Sequence, residues 1–410
     1  MPDFSAQLRV GQVSDGLYQA FNQMLSSTQT AMAAIAAENS QLEEKCSELS
    51  KENSDLRARN EKLNSEVSRL TAMLGSHGSG VRERETTGEE LAFVMQRSIK
   101  IHDAPVHSVT MRASSSTVAT GSWDGTAKLY NLATEEVVRT LGTEGGAEDG
   151  SKMGGLYAVA FAKTAPDILG CASADKSVYL WNHATGKLHS KLQGHQDEVN
   201  GIDFHSTQQV MCTASDDCKV IIWDFQEGIV LRTLEKHTKA VYGATFLGEA
   251  NQYLVATCCF DQKIRVFDMR DRQAIALLQT HTDDVIGIDY SADKDLLATG
   301  SDDGHIGIWD TRIFKLQQKI NTKEDPGIPD NEVKRVTFSP NGSLLAAACS
   351  SGRVLVYDIT TKPARRVAQL GGHTDCVFDV AWGQCSRSDA KILVSASHDR
   401  TCRYWREEAI

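Results

Sequence analysis

Several features that mark other protein classes are missing from this 410-residue sequence. No apolar run approaches the roughly 18 residues that a membrane-spanning helix needs. The first residues, MPDFSAQLRV, lack a basic stretch followed by an apolar one, so we expect no signal peptide. The net charge of −11 argues against direct nucleic-acid binding, since neutralising phosphates takes Lys and Arg. We therefore expect a cytoplasmic protein, recruited to membranes or complexes by partners; a nuclear location also fits.

Signatures of catalysis and metal binding are missing as well. The ten cysteines form no C-x-x-C pair and no Cys/His cluster with zinc spacing, so we expect reduced structural thiols and no metal. Adjacent Cys258 and Cys259 would point to opposite faces of a strand. The segment GGAEDGSK (145–152) reads Gly-Ser-Lys where a phosphate loop needs Gly-Lys-Ser/Thr. We predict no enzyme activity, no catalytic residues and no cofactor.

A stretch without Gly or Pro runs from Tyr18 to Leu74. A seven-residue apolar repeat buries one seam of a helix against a partner helix, and eight heptads predict a coiled coil over residues 18–74. At 1.5 Å per residue this rod would be roughly 85 Å long. The register is set by Leu42, Leu49, Leu56, Leu63 and Leu70, and extends backwards to Phe21, Thr28 and Ile35.

Three asparagines, Asn39, Asn53 and Asn60, fall on the seam of this coiled coil. A single helix packed on a globular core would have to satisfy three buried amides. In a parallel dimer each Asn meets its twin and fixes the register. We predict a parallel homodimer, with a heterodimer or a trimer as the alternatives.

The leucine repeat does not predict DNA binding, because a DNA-binding zipper needs a basic helix at its N-terminal end. No Lys or Arg stands between Arg9 and Lys45. The alanine-rich residues 28–37 predict a thin end of the coiled coil or a docking place for a partner helix. Residues 1–17 form an N-terminal segment, and residues 75–90, rich in Gly, Ser and charge, predict a flexible linker.

Residues 91–410 repeat one pattern seven times, with copies 42 to 51 residues apart. Segments of the form His-x-x-x-Val, such as HTDDV (281–285), precede five of the copies. A fixed period of this length is the signature of a repeat architecture. An Asp stands six residues before an aromatic residue in six copies, at Asp124, Asp175, Asp217, Asp261, Asp303 and Asp399, and Ser351 takes its place in the sixth copy.

These residues resemble the WD40 repeat family, and the resemblance covers residues 91–410. It implies an all-β fold, a seven-bladed β-propeller of four-stranded blades, preceded here by the coiled coil. It also implies a hydrogen-bonded set within each blade: His195, Asp217 and Trp223 with Thr213 or Ser215 in blade three, and His281, Asp303 and Trp309 in blade five. In blades two and six, Lys152 and Pro329 stand at the expected His position.

The last copy ends soon after its third strand, so one strand of blade seven is missing. FVMQRSIKIH (93–102) aligns with GIVLRTLEKH (228–237), the outer strand that leads into blade four. We expect residues 93–100 to pair with blade seven and close the ring, since closure removes exposed sheet edges.

In the family, the residue before the turn Asp lies on the top face of the propeller. Two of these residues, Trp123 and Phe260, are apolar anchors, since aromatic side chains are costly to leave in water. Acidic loops around them favour a basic peptide or protein as partner; alternatively, the turn aromatics only pack on neighbouring loops. The residues implied are Trp123, Ala174, Asp216, Phe260, Asp302, Ser350 and His398, with the loop residues Asp103, Asp197, Glu198, Asp283, Asp284 and Asp375 and one basic exception, Lys239.

A coiled coil followed by a linker and a propeller predicts a dimeric scaffold that assembles a multiprotein complex. This order is similar to the autophagy-related protein 16 family, which scaffolds a lipid-conjugating complex on membranes. Residues 260–270 and 336–358 also look similar to that family. A transcriptional corepressor or chromatin regulator is one alternative, and a cytoskeletal, ciliary or splicing component is another.

Overall fold

A computed structural model describes residues 92–112, 116–142, 153–248, 252–323, 331–384 and 391–408, together with Gln23, Gln41, Lys45 and Lys51. The chain separates into two units, Met1–Thr87 and Gly88–Ile410. The four isolated residues of the first unit are helical and exposed, and all four lie off the predicted seam. The rest of the predicted coiled coil, its leucines and asparagines, residues 1–17 and the linker 75–90 lie outside the described residues. Dimerisation therefore stays a prediction.

Seven four-stranded antiparallel sheets make up the second unit, which confirms the predicted all-β, seven-bladed propeller. Within the described residues, no helix is long and apolar enough to cross a membrane.

The strands follow the chain from the innermost to the outermost position of each blade. Blades one to three contain β2 (Val106–Met111), β3 (Thr117–Ser122), β4 (Ala127–Asn131), β5 (Glu136–Leu141); β6 (Leu156–Phe161), β7 (Ile168–Ser173), β8 (Ser177–Asn182), β9 (Lys187–Gln193); β10 (Val199–Phe204), β11 (Val210–Ser215), β12 (Val220–Asp224), β13 (Ile229–Leu234). Blades four to six contain β14 (Val241–Phe246), β15 (Leu254–Cys259), β16 (Ile264–Asp268), β17 (Ala274–Leu278); β18 (Val285–Ser291), β19 (Leu296–Ser301), β20 (His305–Asp310), β21 (Lys315–Asn321); β22 (Val333–Phe338), β23 (Leu344–Cys349), β24 (Val354–Asp358), β25 (Arg365–Leu370).

Blade seven is built from both ends of the propeller sequence. Its strands are β26 (Val377–Gln384), β27 (Lys391–Ser397), β28 (Thr401–Glu408) and β1 (Ala92–Lys100). β1 pairs antiparallel with β28, from Ala92 opposite Glu408 to Lys100 opposite Thr401. The ring thus closes through a strand that precedes blade one in sequence.

Seven apolar clusters form the core, one in each interface between neighbouring blades. Trp181, Trp223 and Phe267 are among the fully buried side chains. Burying such a side chain stabilises the fold by about 2 kcal/mol or more. Because every blade contributes to two interfaces, no blade is expected to keep its core without its neighbours.

Six of the eight described cysteines are buried, and Cys218 and Cys376 are half-buried. The eight described cysteines are free, in accord with the expected structural thiols. Cys258 and Cys259 are fully buried, and their thiols donate to separate carbonyls, those of Ile286 (3.3 Å) and Lys239 (3.2 Å).

The innermost strands share a bulge at their second residue. A β-bulge re-aims one side chain. Other residues of the same strands, such as Ile202, Arg335 and Asp379, line a central channel whose cavity measures about 810 Å³. The seven bulge residues are His107, Tyr157, Asn200, Tyr242, Ile286, Lys334 and Phe378.

Candidate partner-binding face of the propeller

The top face of the propeller carries the loops between blades and the hairpin turn between the second and third strand of each blade. A buried polar set anchors these segments in blade three. His195 Nδ1 lies 2.9 Å from Asp217 Oδ2, and its Nε2 lies 2.8 Å from Thr213 Oγ1. The Trp223 indole donates to the same Thr213 hydroxyl at 2.8 Å. Of the two candidates for the hydroxyl, Thr213 therefore joins the set, while Ser215 accepts the Asp217 amide at 3.1 Å.

The hydrogen bonds of the set favour the charged form of the Asp217 carboxyl. Burial would raise its pKa, but the His195 hydrogen bond and the amides of Gln196 and Lys219 outweigh burial and hold that pKa below its usual value. Each polar atom of the set has a partner, as buried polar groups require. The set thus fixes the interblade loop against the hairpin turn.

Blades one, five and seven repeat this arrangement. In blade five, His281 lies 3.1 Å from Asp303 and 2.8 Å from Thr299, whose hydroxyl accepts from Trp309 at 3.0 Å. The other two sets are His102 with Asp124 and Thr120, and His373 with Asp399, Ser395 and Trp405.

Blade four contains a variant in which a guanidinium joins the set. The ligand atoms of His237, Cys259 and Asp261 lie within 4.8 Å of one another, a grouping that could hold a metal ion. Arg265 Nη1 instead lies 2.7 Å from His237 Nδ1 and donates to Asp261 Oδ2 at 2.6 Å. The cation in this group is therefore the arginine side chain.

In blades two and six the structure corrects the residues assigned to the His position. Lys152 and Pro329 lie outside the described residues, and the buried Met153 and Asn331 take that place. The Trp181 indole donates to Met153 Sδ at 3.4 Å. The Ser351 hydroxyl donates to Asn331 Oδ1 at 2.7 Å, so a neutral pair replaces His and Asp in blade six.

The seven residues before the turn Asp are structurally equivalent. Each donates its backbone amide to a carbonyl of the interblade loop, at 2.8 to 3.1 Å. They are Trp123, Ala174, Asp216, Phe260, Asp302, Ser350 and His398, the residues predicted for the top face. Their surroundings differ from blade to blade.

Trp123 is the most exposed of the seven, with 49% of its surface accessible. Its ring lies against Gly155, where an added Cβ would be 3.4 Å from Trp123 Cδ2. His107 and Tyr157 lie beside it, with ring centroids 5.4 and 5.6 Å away. Trp123 therefore combines packing on its neighbours with a large open surface.

An aromatic cluster continues from Trp123 across blade one to blade seven. His107 Nε2 lies 3.0 Å from His398 Nε2, and the Phe378 ring stacks on His398 at 4.1 Å. Burial, and then the nearby His398, lowers the pKa of His107 to about 3, so His107 is neutral at physiological pH. We call Trp123, His107, Tyr157, Phe378 and His398 the aromatic arc.

Phe260, the second predicted anchor, is less available than Trp123. It is half-buried, and its ring stacks on Tyr242 with centroids 5.5 Å apart and planes 12° apart. This contact agrees with the alternative in which a turn aromatic packs on its neighbours. Phe260 and Tyr242 form a second, smaller aromatic site on blade four.

The predicted acidic residues divide into exposed loop residues and half-buried ones. Asp197, Asp283 and Asp375 are exposed, and each accepts the amide of the following residue, at 3.1, 2.9 and 2.7 Å. Glu198 and Asp284 are half-buried. Asp197 also lies 3.5 Å from Lys176 Nζ, while Asp283 and Asp375 have no ion-pair partner among the described residues.

Asp302 and Asp216 look equivalent in sequence, but the structure separates them. Lys334 Nζ lies 2.9 Å from Asp302 Oδ1 and also pairs with Glu332 at 2.6 Å. Asp216 accepts from the Asn200 amide at 2.5 Å and has no cationic partner in the described part of the chain. Asp302 therefore has a cationic partner, while the hydrogen-bond partner of Asp216 is neutral and burial raises the pKa of Asp216.

The bulge residues were not predicted from the sequence, and they determine how the surroundings of the top-face residues differ from blade to blade. His107, Tyr157, Asn200, Tyr242 and Lys334 all contact a top-face residue of their own or an adjacent blade. The sequence does mark these positions. Each bulge residue except Tyr157 directly follows the Val that begins an innermost strand, as in HDAPVH (102–107) and HTKAVY (237–242).

Comparison with known proteins shows WD40 repeats in this chain. Residues 93–131, 186–224 and 228–268 match the sequence model of the WD domain, G-beta repeat. Residues 275–409 match the model of the N-terminal domain of Nucleolar protein 10-like proteins, described as a β-propeller.

Curated relatives share part of the propeller sequence. Nuclear distribution protein PAC1 of Arthroderma benhamiae is 27% identical over 229 residues, which are 54% of this chain and 38% of the relative. WD repeat-containing protein 37 of Xenopus laevis is 24% identical over 254 residues, 61% of this chain and 48% of the relative. Nuclear distribution protein nudF of Aspergillus flavus is 31% identical over 120 residues, 29% of this chain and 26% of the relative. The chain spans less than half the length of each.

Proposed function

We propose that the protein is a non-enzymatic scaffold that assembles a multiprotein complex, with partners binding the top face of the propeller around Trp123. The half-exposed Trp123 carries this proposal. A tryptophan with one side packed on backbone and the other open is a rigid anchor, and tryptophan is enriched among interface hot spots. The acidic residues around it favour a partner with basic side chains, as charge complementarity steers association.

A pull-down from cells with the full chain tests this surface. The Trp123→Ala, Phe260→Ala double variant leaves the net charge unchanged and removes both aromatic anchors. The matched control replaces two exposed valines of the outer strand β5, Val137→Ala and Val138→Ala, which are 46% and 58% exposed. We expect the first variant to lose propeller-dependent partners and the second to keep them; normal binding by the first would overturn the proposal.

Two propellers joined by the coiled coil of residues 18–74 would give the scaffold its valency. Joining two binding modules raises avidity without any new contact. In this proposal, the top face and the alanine-rich residues 28–37 determine which partners bind. The parallel homodimer is supported by the leucine register and the three seam asparagines.

The pathway is a narrower question. Two features support a role in an autophagy conjugation complex. Residues 260–270 and 336–358 resemble the autophagy-related protein 16 family, and the order of coiled coil, linker and propeller is similar to that family's. The names of two relatives favour a second candidate, a scaffold with a part in nuclear distribution. Localisation separates the autophagy role from the corepressor alternative: puncta on starvation favour autophagy, and retention in the nucleus favours a corepressor.

A further inference from the structure

Several carboxylates of the top face have no ion-pair partner among the described residues, and two of them lie side by side, since the Asp216 amide donates to the Glu198 carbonyl at 3.0 Å. Asp216 and Glu198, both on blade three, have no ion-pair partner among the described residues. The nearby exposed Asp197 lies 3.5 Å from Lys176 Nζ, on the outer side of the face. By contrast, the carboxylates of Asp302 and Glu332 share the half-buried ammonium of Lys334.

Two tyrosines from the bulge positions of neighbouring blades flank Asp216 and Glu198. The Tyr157 hydroxyl donates to Glu198 Oε2 at 2.5 Å. Tyr242 is half-buried, and its hydroxyl has no hydrogen-bond partner within the described residues. Asn200 Nδ2, which donates to Asp216, also donates to the carbonyl of Val241 at 3.2 Å, so Tyr242 directly follows a residue held beside Asp216. Burial raises the pKa of both tyrosine hydroxyls. An unpartnered hydroxyl beside unpaired carboxylates indicates a place for a polar ligand.

The channel's own guanidinium does not fill this place. Arg335 Nε lies 3.3 Å from Asp379 Oδ1, on the blade-seven side. Asp379 Oδ2 in turn accepts from Ser108 and from the Val109 amide, both at 2.9 Å. Arg335 is thus engaged in the contacts that join blade seven to blade one.

We propose that the channel mouth at Asp216, Glu198, Tyr157, Tyr242 and Asn200 binds the guanidinium of an arginine from the partner. This inference rests on the proposed partner-binding face and names the side chain it reads. A planar guanidinium donates to two carboxylates at once and stacks on aromatic rings, which a compact ammonium does less well. We call these five residues the blade-three pocket.

Fluorine NMR of the full chain labelled with 3-fluorotyrosine tests the pocket. The signals of Tyr157 and Tyr242 are assigned with Tyr→Phe variants. The probes are acetyl-Ala-Arg-Ala-amide, the same peptide with citrulline, a neutral isostere of arginine, and the same peptide with lysine. We expect the arginine peptide to shift both signals and the citrulline peptide to shift neither.

Two matched variants show whether the arginine peptide binds the blade-three pocket or is attracted by any carboxylate of the face. Asp216→Asn should weaken the arginine peptide about tenfold or more, since a charge-assisted contact is lost. Asp302→Asn removes the same charge where Lys334 already compensates it, and should leave the affinity nearly unchanged. Equal weakening by both variants, equal binding of citrulline, or unshifted tyrosines would overturn the proposal; equal binding of lysine would overturn the assignment to arginine.

The two proposals can fail separately. If Trp123→Ala, Phe260→Ala abolishes partner capture while the arginine peptide does not bind, the top face stands and the blade-three pocket is wrong. If the arginine peptide binds and the double variant keeps its partners, the pocket stands and the aromatic anchors are wrong.

Discussion

Lys334 Nζ lies 2.9 Å from Asp302 Oδ1 and 2.6 Å from Glu332 Oε2, so one half-buried ammonium compensates two carboxylates of the top face. The bulge of β22 places this side chain there. The half-buried Asp216 and Glu198 on blade three have no such cation among the described residues. This asymmetry makes the face of a repeating fold specific, because a seven-fold ring of identical turns would offer seven equal sites.

Replacing Lys334 with Met should make the blade-five sector resemble blade three. Asp302 and Glu332 would lose their cation, so we expect a loss of about 1–3 kcal/mol in the free energy of unfolding, measured by urea denaturation. Binding of a basic peptide should strengthen. Lys239→Met removes an exposed lysine of the same face and serves as the control; equal effects of the two changes would contradict this assignment.

A half-buried carboxylate that lines the central cavity gives the protein a pH dependence opposite to that of the blade sets. Burial raises the pKa of Asp289 to about 6, despite the hydrogen bond from the Phe338 amide and the charge of Arg335. The folded state then holds a proton that the unfolded state has released, so stability falls as the pH rises from about 4 to about 6.

In thermal unfolding, Asp289→Asn should therefore gain stability relative to the parent protein as the pH rises through that window. Asp217 works in the other direction. Its lowered pKa gives stability that is present above its unfolded pKa and lost as the pH falls through the folded one. A difference between Asp289→Asn and the parent that stays constant from pH 4 to pH 7 would refute the Asp289 assignment.

The residue after each turn Asp, or after Ser351, adopts a left-handed backbone in all seven blades. In blade four it is the exposed Gln262, with φ of 66°. Left-handed backbone costs a residue with a Cβ about 1 kcal/mol or more. Gln262→Gly should raise the melting temperature, while Gln273→Gly, at an exposed position without positive φ, should leave it unchanged or lower it.

Substitutions of the seam leucines test the predicted coiled coil. Leu49→Glu, Leu56→Glu and Leu63→Glu together should produce a monomer of 44.8 kDa with a folded propeller, measured by light scattering after size exclusion. Buried like charges prevent the two helices from pairing. The control places Glu at Gln23, Gln41 and Lys51, which are exposed. A dimer that survives the leucine changes would move the interface to another surface.

The periodic part of the sequence predicted the propeller because each blade repeats the same hydrogen-bonding problem. His195, Asp217 and Trp223 recur at fixed spacing, since a buried set must be satisfied in every blade. The prediction failed in blades two and six, where no His marks the position. Met153 keeps the spacing of 22 residues to its turn Asp that His102 has, while Asn331 lies only 20 residues before Ser351.

The sequence predicted which residues lie on the top face, but not which side chains surround each of them. Nothing in the turn sequences separates Asp216 from Asp302, because their difference comes from Asn200 and Lys334 on bulges of the innermost strands. Likewise, only the three-dimensional packing shows that Phe260 is stacked on Tyr242 while Trp123 remains half exposed.

Photo-crosslinking in cells tests the central claim most directly. A benzophenone amino acid replaces Trp123 in one full-length variant and Val138 in another, and the crosslinked proteins are identified by mass spectrometry. Position 123 lies at the centre of the proposed interface and position 138 on the outer rim. We predict specific partners crosslinked at position 123 and absent at position 138; the same partners at both positions, or partners at position 138 alone, would contradict the proposed role of the top face.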